Sequence, residues 1–270
     1  MSRKLIRHGA AIVVLALTVV MSVCADDLNE ILERGTMRVA VSEYAPWCMR
    51  AADGGLVGFE IDVANKIAAD MGVTAEFEVY DWDRLIPALR EGEVDVIIAG
   101  MSITPGRALK VDFTRPYAES GTTLVTHTEN TRDIDSLESL NAAGITIGAV
   151  AETTNADLVR RLFDKARMRS YGASGEAEKA LLAGELDAYV TTVPEARFLV
   201  LANPSVVDLP LAKPLLTAKE GIAVRRGEHA WRNFLDAWIV ARDADEWIPT
   251  AHEYWFNSLE WTDRVQTPPQ

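Results

Sequence analysis

The chain has 270 residues, with 27 Lys and Arg against 40 Asp and Glu, for a formal net charge of −13. Hydrophobic residues make up 49% and charged residues 25%, a globular balance that excludes a disordered chain or a coiled coil. The acidic excess disfavours nucleic acid, whose phosphates need surplus Lys and Arg. Two cysteines give no basis for a disulfide framework or a Cys-based zinc site.

Arg3, Lys4 and Arg7 precede an apolar run from Ala10 to Val23, which breaks into Asp26-Asp27. A basic start, an apolar stretch too short for a comfortable membrane span and a small-residue exit describe a secretory leader. Val23-Cys24-Ala25 places a cut after Ala25, and a lipoprotein cut before Cys24 is disfavoured by Val23 just ahead of it. Residues 1–25 are therefore expected to leave, which takes the net charge from −13 to −16 and leaves Cys48 as the single thiol. An exported fold with one thiol must stand without an internal disulfide.

Met37 to Val41 alternates like a strand. Phe59, Val63, Ile67 and Met71 recur every fourth residue before Gly72, one helix face with a glycine C-cap. Phe77 and Val79 alternate with Glu76 and Glu78, a half-buried strand, and Leu85, Ile86 and Leu89 form a helix face ended by Gly92. Val94 to Ala99 is a nearly continuous apolar run, as in a buried parallel strand. The second half repeats this order: Gly184-Glu-Leu-Asp-Ala188 answers Gly92-Glu-Val-Asp-Val96, and Ile145 to Ala149 echoes Met37 to Val41. Alternating strands and helices, repeated once, predict an α/β fold of two similar lobes. Extended segments near Ala118–Leu124 and Leu216–Ile222 are the expected crossings, with a hinge and a cleft between the lobes. Lobe 1 is then residues 26–117 plus 221–270, and lobe 2 residues 118–220.

Thr104 and Pro105 read as N-cap and first residue of a helix, with Arg107 in its first turn. A guanidinium beside a helix N-terminus favours an anion, and Arg grips carboxylate bidentately; a surface pair with Asp112 is the alternative. Glu152-Thr-Thr-Asn155 follows the equivalent strand of lobe 2 and offers N-cap hydroxyls and free N–H groups. Tyr44, Trp47 and Trp82 stand at strand-to-loop junctions, suited to stacking on a ligand, although Trp47 reads better as core. No Gly-x-Ser-x-Gly, His-Glu-x-x-His, P-loop or Gly-x-Gly-x-x-Gly occurs, and His127, His229 and His252 lack ligand spacing. No catalytic residue, metal or cofactor is expected.

Tyr44-Ala-Pro-Trp47, Gly58-Phe-Glu-Ile-Asp-Val63, Gly100-Met-Ser-Ile-Thr104, Val111-Asp-Phe-Thr-Arg-Pro-Tyr117 and Glu220-Gly-Ile-Ala-Val224 occur in order along the mature chain. Together they resemble the family 3 bacterial extracellular solute-binding proteins, which serve polar amino-acid ABC transporters. The resemblance implies a periplasmic-binding-protein-like α/β fold closing on a small ligand, a monomer in the periplasm, and an ABC permease as partner. It implies that Arg107 grips the ligand's α-carboxylate and that Ser102 and the backbone at Gly100 bond the carboxylate and amine. Thr153 or Thr154 would add donors from lobe 2, while Tyr44 and Trp82 flank the ligand's side chain. Two departures stand out. The family usually places an acid where this chain has Thr192, removing a charged partner for the ligand's ammonium, and Glu152 replaces the usual glycine before the Thr pair. Glu152 is expected either to supply the missing charge or to repel a second carboxylate. An enzyme resembling the family, cyclohexadienyl dehydratase, is the alternative: its general-acid glutamate is matched by Glu195 in Glu195-Ala-Arg197. Against it, Thr122 stands where that enzyme uses a lysine.

Overall fold

The computed structural model describes residues 27–134, 136–258 and 260–265, so the expected leader at 1–25 lies outside the described residues. The chain begins with α1 (Asp27–Arg34) and β1 (Thr36–Val41), followed by a short hairpin of β2 (Met49–Arg50) and β3 (Leu56–Val57). α2 (Phe59–Met71), β4 (Thr74–Val79), α3 (Leu85–Glu91), β5 (Val96–Ile97), α4 (Pro105–Ala108) and β6 (Asp112–Phe113) complete the first pass through lobe 1. β7 (Ala118–His127) crosses to lobe 2, which adds α5 (Leu137–Leu140), β8 (Thr146–Val150), α6 (Thr154–Leu162) and β9 (Arg167–Tyr171). α7 (Ser174–Leu182), β10 (Ala188–Thr192), α8 (Val193–Ala202) and β11 (Val207–Asp208) follow, and β12 (Leu216–Glu220) crosses back. β13 (Ala223–Val224), α9 (His229–Ala244) and α10 (Trp247–Asn257) then close lobe 1.

The four-residue apolar spacing becomes α2, with Phe59, Val63 and Ile67 fully buried and Gly72 left-handed at φ 73°. Glycine fits there because that conformation crowds any Cβ. Gly92 and Gly184 end the two equivalent helices in the same way, at φ 77° and 72°. In β4 the expected alternation holds for Phe77, but Val79 at the strand end is 39% exposed. Of the apolar run 94–99, only Val96–Ile97 forms the strand, although all six residues are buried.

The repeat appears in the sheets. Lobe 1 runs β4-β1-β5-β13-β6, and lobe 2 runs β11-β7-β10-β8-β9 with β12 paired to β7. In lobe 1, β1 pairs parallel with β4 and β5; in lobe 2, β8 pairs parallel with β9 and β10. Each lobe then receives one antiparallel strand, β13 against β5 and β7 against β10. Both faces of each sheet are covered. In lobe 1, Trp231, Leu235 and Trp255 cover one face and Leu85, Leu89 and Val111 the other. In lobe 2, Val159 and Phe163 pack opposite Leu181 and Leu199. The crossings β7 and β12 lie antiparallel from Ala118↔Glu220 to Thr122↔Leu216.

Candidate ligand-binding cleft

Open α/β sheets place ligands beyond the C-terminal ends of their parallel strands, and both sheets point those ends at one cleft. From lobe 1, Ser42 to Tyr44 follow β1, Ala99, Gly100 and Ser102 follow β5, and Trp82 follows β4. From lobe 2, Thr153 to Asn155 follow β8, Gly172 to Ser174 follow β9, and Thr192 ends β10. The crossings supply the floor: Ser120 and Thr122 from β7, and Glu220 from β12. About 570 Å³ of space lies between these residues, the open solvent at its mouth included.

Three lobe 2 helices begin at this cleft: α6, α7 and α8. Their first-turn N–H groups and aligned peptide dipoles favour an anion. Thr153 caps α6 by accepting from Ala156 N at 3.1 Å, while its hydroxyl donates to Val150 O at 2.6 Å. On the facing lobe, Thr104 caps α4 by accepting from Arg107 N at 3.2 Å, which fixes where the Arg107 side chain starts.

Arg107 spans the lobes. Its Nη1 donates to Ser102 O and its Nη2 to Glu152 O, each at 3.0 Å, and the guanidinium lies 5.5 Å from the centre of the Trp82 ring. Burial lowers its pKa to about 10, opposed by Asp157 and Glu152, so it remains a cation at neutral pH. Two of its five N–H donors are engaged in these bonds. Trp82 Nε1 also donates to Glu152 O, at 3.2 Å. Two lobe 1 side chains thus meet one lobe 2 carbonyl. Glu152 presents that carbonyl from a left-handed backbone, φ 57°. The Tyr44 hydroxyl makes a further bridge, to the Thr191 hydroxyl at 2.7 Å.

Residues 37–258 match the sequence profile of the bacterial extracellular solute-binding proteins, family 3. The chain belongs to that family. Among relatives of this solute-binding protein, cyclohexadienyl dehydratase of Pseudomonas aeruginosa is 26% identical, covering 93% of this chain and 95% of its own. The L-cystine-binding protein of Escherichia coli is 27% identical over 86% of each chain. Among solved structures, an ancestral amino acid-binding protein described as a precursor of cyclohexadienyl dehydratase superposes with a TM-score of 0.78. It is 32% identical and covers 86% of this chain and 100% of its own. A putative ABC-transporter binding component of Wolinella succinogenes, complexed with lysine, gives 0.80 at 27% identity over 86% and 100%.

The cleft of this solute-binding protein gathers Tyr44, Trp82, Gly100, Ser102, Thr153, Thr154 and Thr192 from the sequence expectation. Arg107 stands beside that lining, joined to it through Ser102 and Trp82, and is not paired with Asp112, which accepts from Gly227 N. Trp47 is both core and wall: it is 2% exposed, and its Nε1 donates to Glu220 Oε2 at 3.1 Å. Gly100 makes this possible, because a Cβ there would stand 2.6 Å from the Trp47 ring. The Glu152 side chain is exposed, and only its carbonyl takes part in the contacts with Arg107 and Trp82.

Glu195 does not line the cleft. It is 1% exposed in the first turn of α8 and accepts from the Thr191 hydroxyl, with Tyr189 OH at 3.5 Å. Burial first, and the charge of Glu178 second, raise its pKa well above the ordinary carboxyl value. Thr191 and Tyr44 therefore stand between this buried acid and the ligand space. Sequence reasoning quoted Glu220 within a motif but gave it no role. The available signal was an acid closing a crossing strand that otherwise runs into Gly-Ile-Ala-Val.

Proposed function

We propose that this protein is a periplasmic receptor that binds an amino acid in the interlobe cleft and presents it to an ABC-transporter permease. The observation that carries the reading is Arg107: a half-buried cation beside the cleft lining, bonded across the lobes to the Glu152 carbonyl that precedes the N-terminus of α6. A ligand carboxylate would take the remaining guanidinium N–H groups together with the first-turn donors of α6. It would thereby tie lobe 1 to lobe 2. Tyr44 and Trp82 would border the ligand's side chain, and Ser102 and Thr192 would add hydroxyls. Closure around the ligand would then be the state that a permease recognises. Membership of a family of extracellular binding proteins and the basic, apolar start of the chain support export, with cleavage after Ala25 and a monomer in the periplasm.

Binding without chemistry is the reading that the position of Glu195 supports. A general acid must reach the group it protonates directly or through one water; the Thr191 hydroxyl holds Glu195 Oε2, Oε1 is buried without a hydrogen bond, and Tyr44 lies between Thr191 and the cleft. A thermal-shift screen over L-amino acids, simple organic acids and prephenate tests both readings. A ligand at about 100 times its Kd adds about 2.7 kcal/mol of stability, so a binder is visible. Stabilisation by amino acids with no turnover of prephenate is expected. Dehydration of prephenate that Glu195→Gln abolishes would overturn the receptor reading.

A further inference from the structure

The receptor reading leaves one buried acid on the cleft floor without a task. Glu220 is 1% exposed and closes β12, the crossing strand. Its Oε2 accepts from Trp47 Nε1 at 3.1 Å, and the Ser120 hydroxyl supplies a second neutral donor. The titratable groups facing it are Glu60 from α2 and Tyr117, whose hydroxyl donates to both Glu60 oxygens at 2.7 Å. Lys219, its neighbour in sequence, turns to Glu119, and no basic side chain among the described residues pairs with Glu220. Removing a carboxylate from water costs several kcal/mol unless a cation pairs with it. A buried carboxyl with neutral donors and a second acid beside it is pushed towards its protonated form, and a cation entering the cleft would favour the carboxylate instead.

Other cleft features point the same way. Thr192 Oγ1 is buried on the same lining without a hydrogen bond of ordinary geometry, although the Tyr44 hydroxyl stands close enough to interact with it. Glu43, the other acid on the lining, is exposed and paired with Arg50 at 2.7 Å. Ser102 sets the spacing: its carbonyl accepts from Arg107, and its backbone pairs with Glu220 in an antiparallel bridge. The half-buried cation and the buried acid are thus both tied to the backbone of one residue on the cleft lining, as recognition of a carboxylate and an ammonium on one ligand requires.

We infer that Glu220, acting from the hinge strand, is the anionic partner of the ligand's α-ammonium, a task that Thr192 cannot perform. The inference rests on the receptor reading and makes the cleft specific for α-amino acids over simple carboxylates. Glu220 has a pKa of about 7 because burial outweighs the hydrogen bonds from Ser120 and Trp47. Part of the empty protein therefore carries the Glu220 proton at neutral pH, and pairing with an ammonium releases it to solvent.

The test is calorimetric titration at pH 6.5 in two buffers of different ionisation enthalpy. The probes are L-arginine, L-lysine, L-histidine, L-glutamine and L-cystine, followed by the desamino analogue of the tightest binder. Wild type should release a proton on binding the amino acid, and Glu220→Gln should abolish that release. The variant should weaken the amino acid tenfold or more while changing the desamino acid less than about twofold. Equal affinity in the variant, an equal loss for both probes, or binding to wild type without proton release would overturn the inference and leave the receptor standing. If the variant does not fold, proton release by the wild type still decides. A wild type that binds none of the probes overturns both readings.

Discussion

At the scale of single residues, the unfavourable electrostatics of the molecule lie in three buried acids, of which Glu220 lines the cleft. Glu60, Glu195 and Glu220 are each nearly inaccessible, and burial raises all three carboxyls above the ordinary range. The sign for stability follows. A carboxyl whose pKa rises on folding holds more protons in the native state, so stability falls as pH climbs from the unfolded value through the folded one. For Glu220 that window runs from 4.5 to about 7. The ligand-free protein should therefore melt at a higher temperature at pH 5 than at pH 8. Glu220→Gln should stabilise it by about 1–3 kcal/mol at pH 8, with little effect at pH 5, which denaturant melts at the two pH values would check. A variant that is equally destabilised at both values would contradict the assignment. Glu152 tests strain instead of charge. It holds a left-handed backbone, which costs a non-glycine residue roughly 1 kcal/mol. Glu152→Gly should leave stability the same or slightly higher and keep ligand affinity, because the carbonyl is the group in use; a large loss of affinity would implicate the side chain.

At the scale of elements, most of the fold is legible because its periodicities are local. The α2 face, its glycine cap and the Thr104-Pro105 helix start all follow from side-chain spacing and capping chemistry, and the structure places them there. The repeat of Gly92-Glu-Val-Asp in Gly184-Glu-Leu-Asp marks strands with the same place in two sheets, β5 and β10. Less of the cleft is legible. Tyr44 and the Thr pair could be placed because strand ends and helix starts declare themselves. Glu220 could not, because its burial depends on Trp47 and Ser120, which are distant in sequence. The carbonyl of Glu152 was missed because backbone groups leave no mark on residue type. Thr153→Ala should cost about 0.5–2 kcal/mol through the lost cap of α6 and weaken ligand binding in the same step, measured by melting and titration together. Gly100→Ala should destabilise by roughly 1–3 kcal/mol, since the new Cβ meets the Trp47 ring; an unchanged melting temperature would contradict the packing described.

At the scale of the whole molecule, two sheets joined by two antiparallel crossings make a hinge whose closure a ligand can drive. The contacts from Arg107 and Trp82 to Glu152, and from Tyr44 to Thr191, are the polar surfaces that meet when the lobes approach. Phe198 against Trp261, 4.8 Å between ring centres, adds an apolar seam where α8 meets the end of the chain. The acidic net charge disfavoured nucleic acid but did not predict the site, where the starts of α6, α7 and α8, with Arg107 beside them, border a cleft whose floor holds one buried acid, Glu220. Arg107 is central to that arrangement, and a charge-assisted bond to a carboxylate is worth about 1.5–3 kcal/mol. The direct test is calorimetric titration of the leaderless protein and its Arg107→Ala variant with the amino acid that most stabilises the wild type. The account predicts one site per chain in the wild type and a loss of at least tenfold in the variant, with the fold intact by circular dichroism. Equal affinity in the two proteins would contradict it.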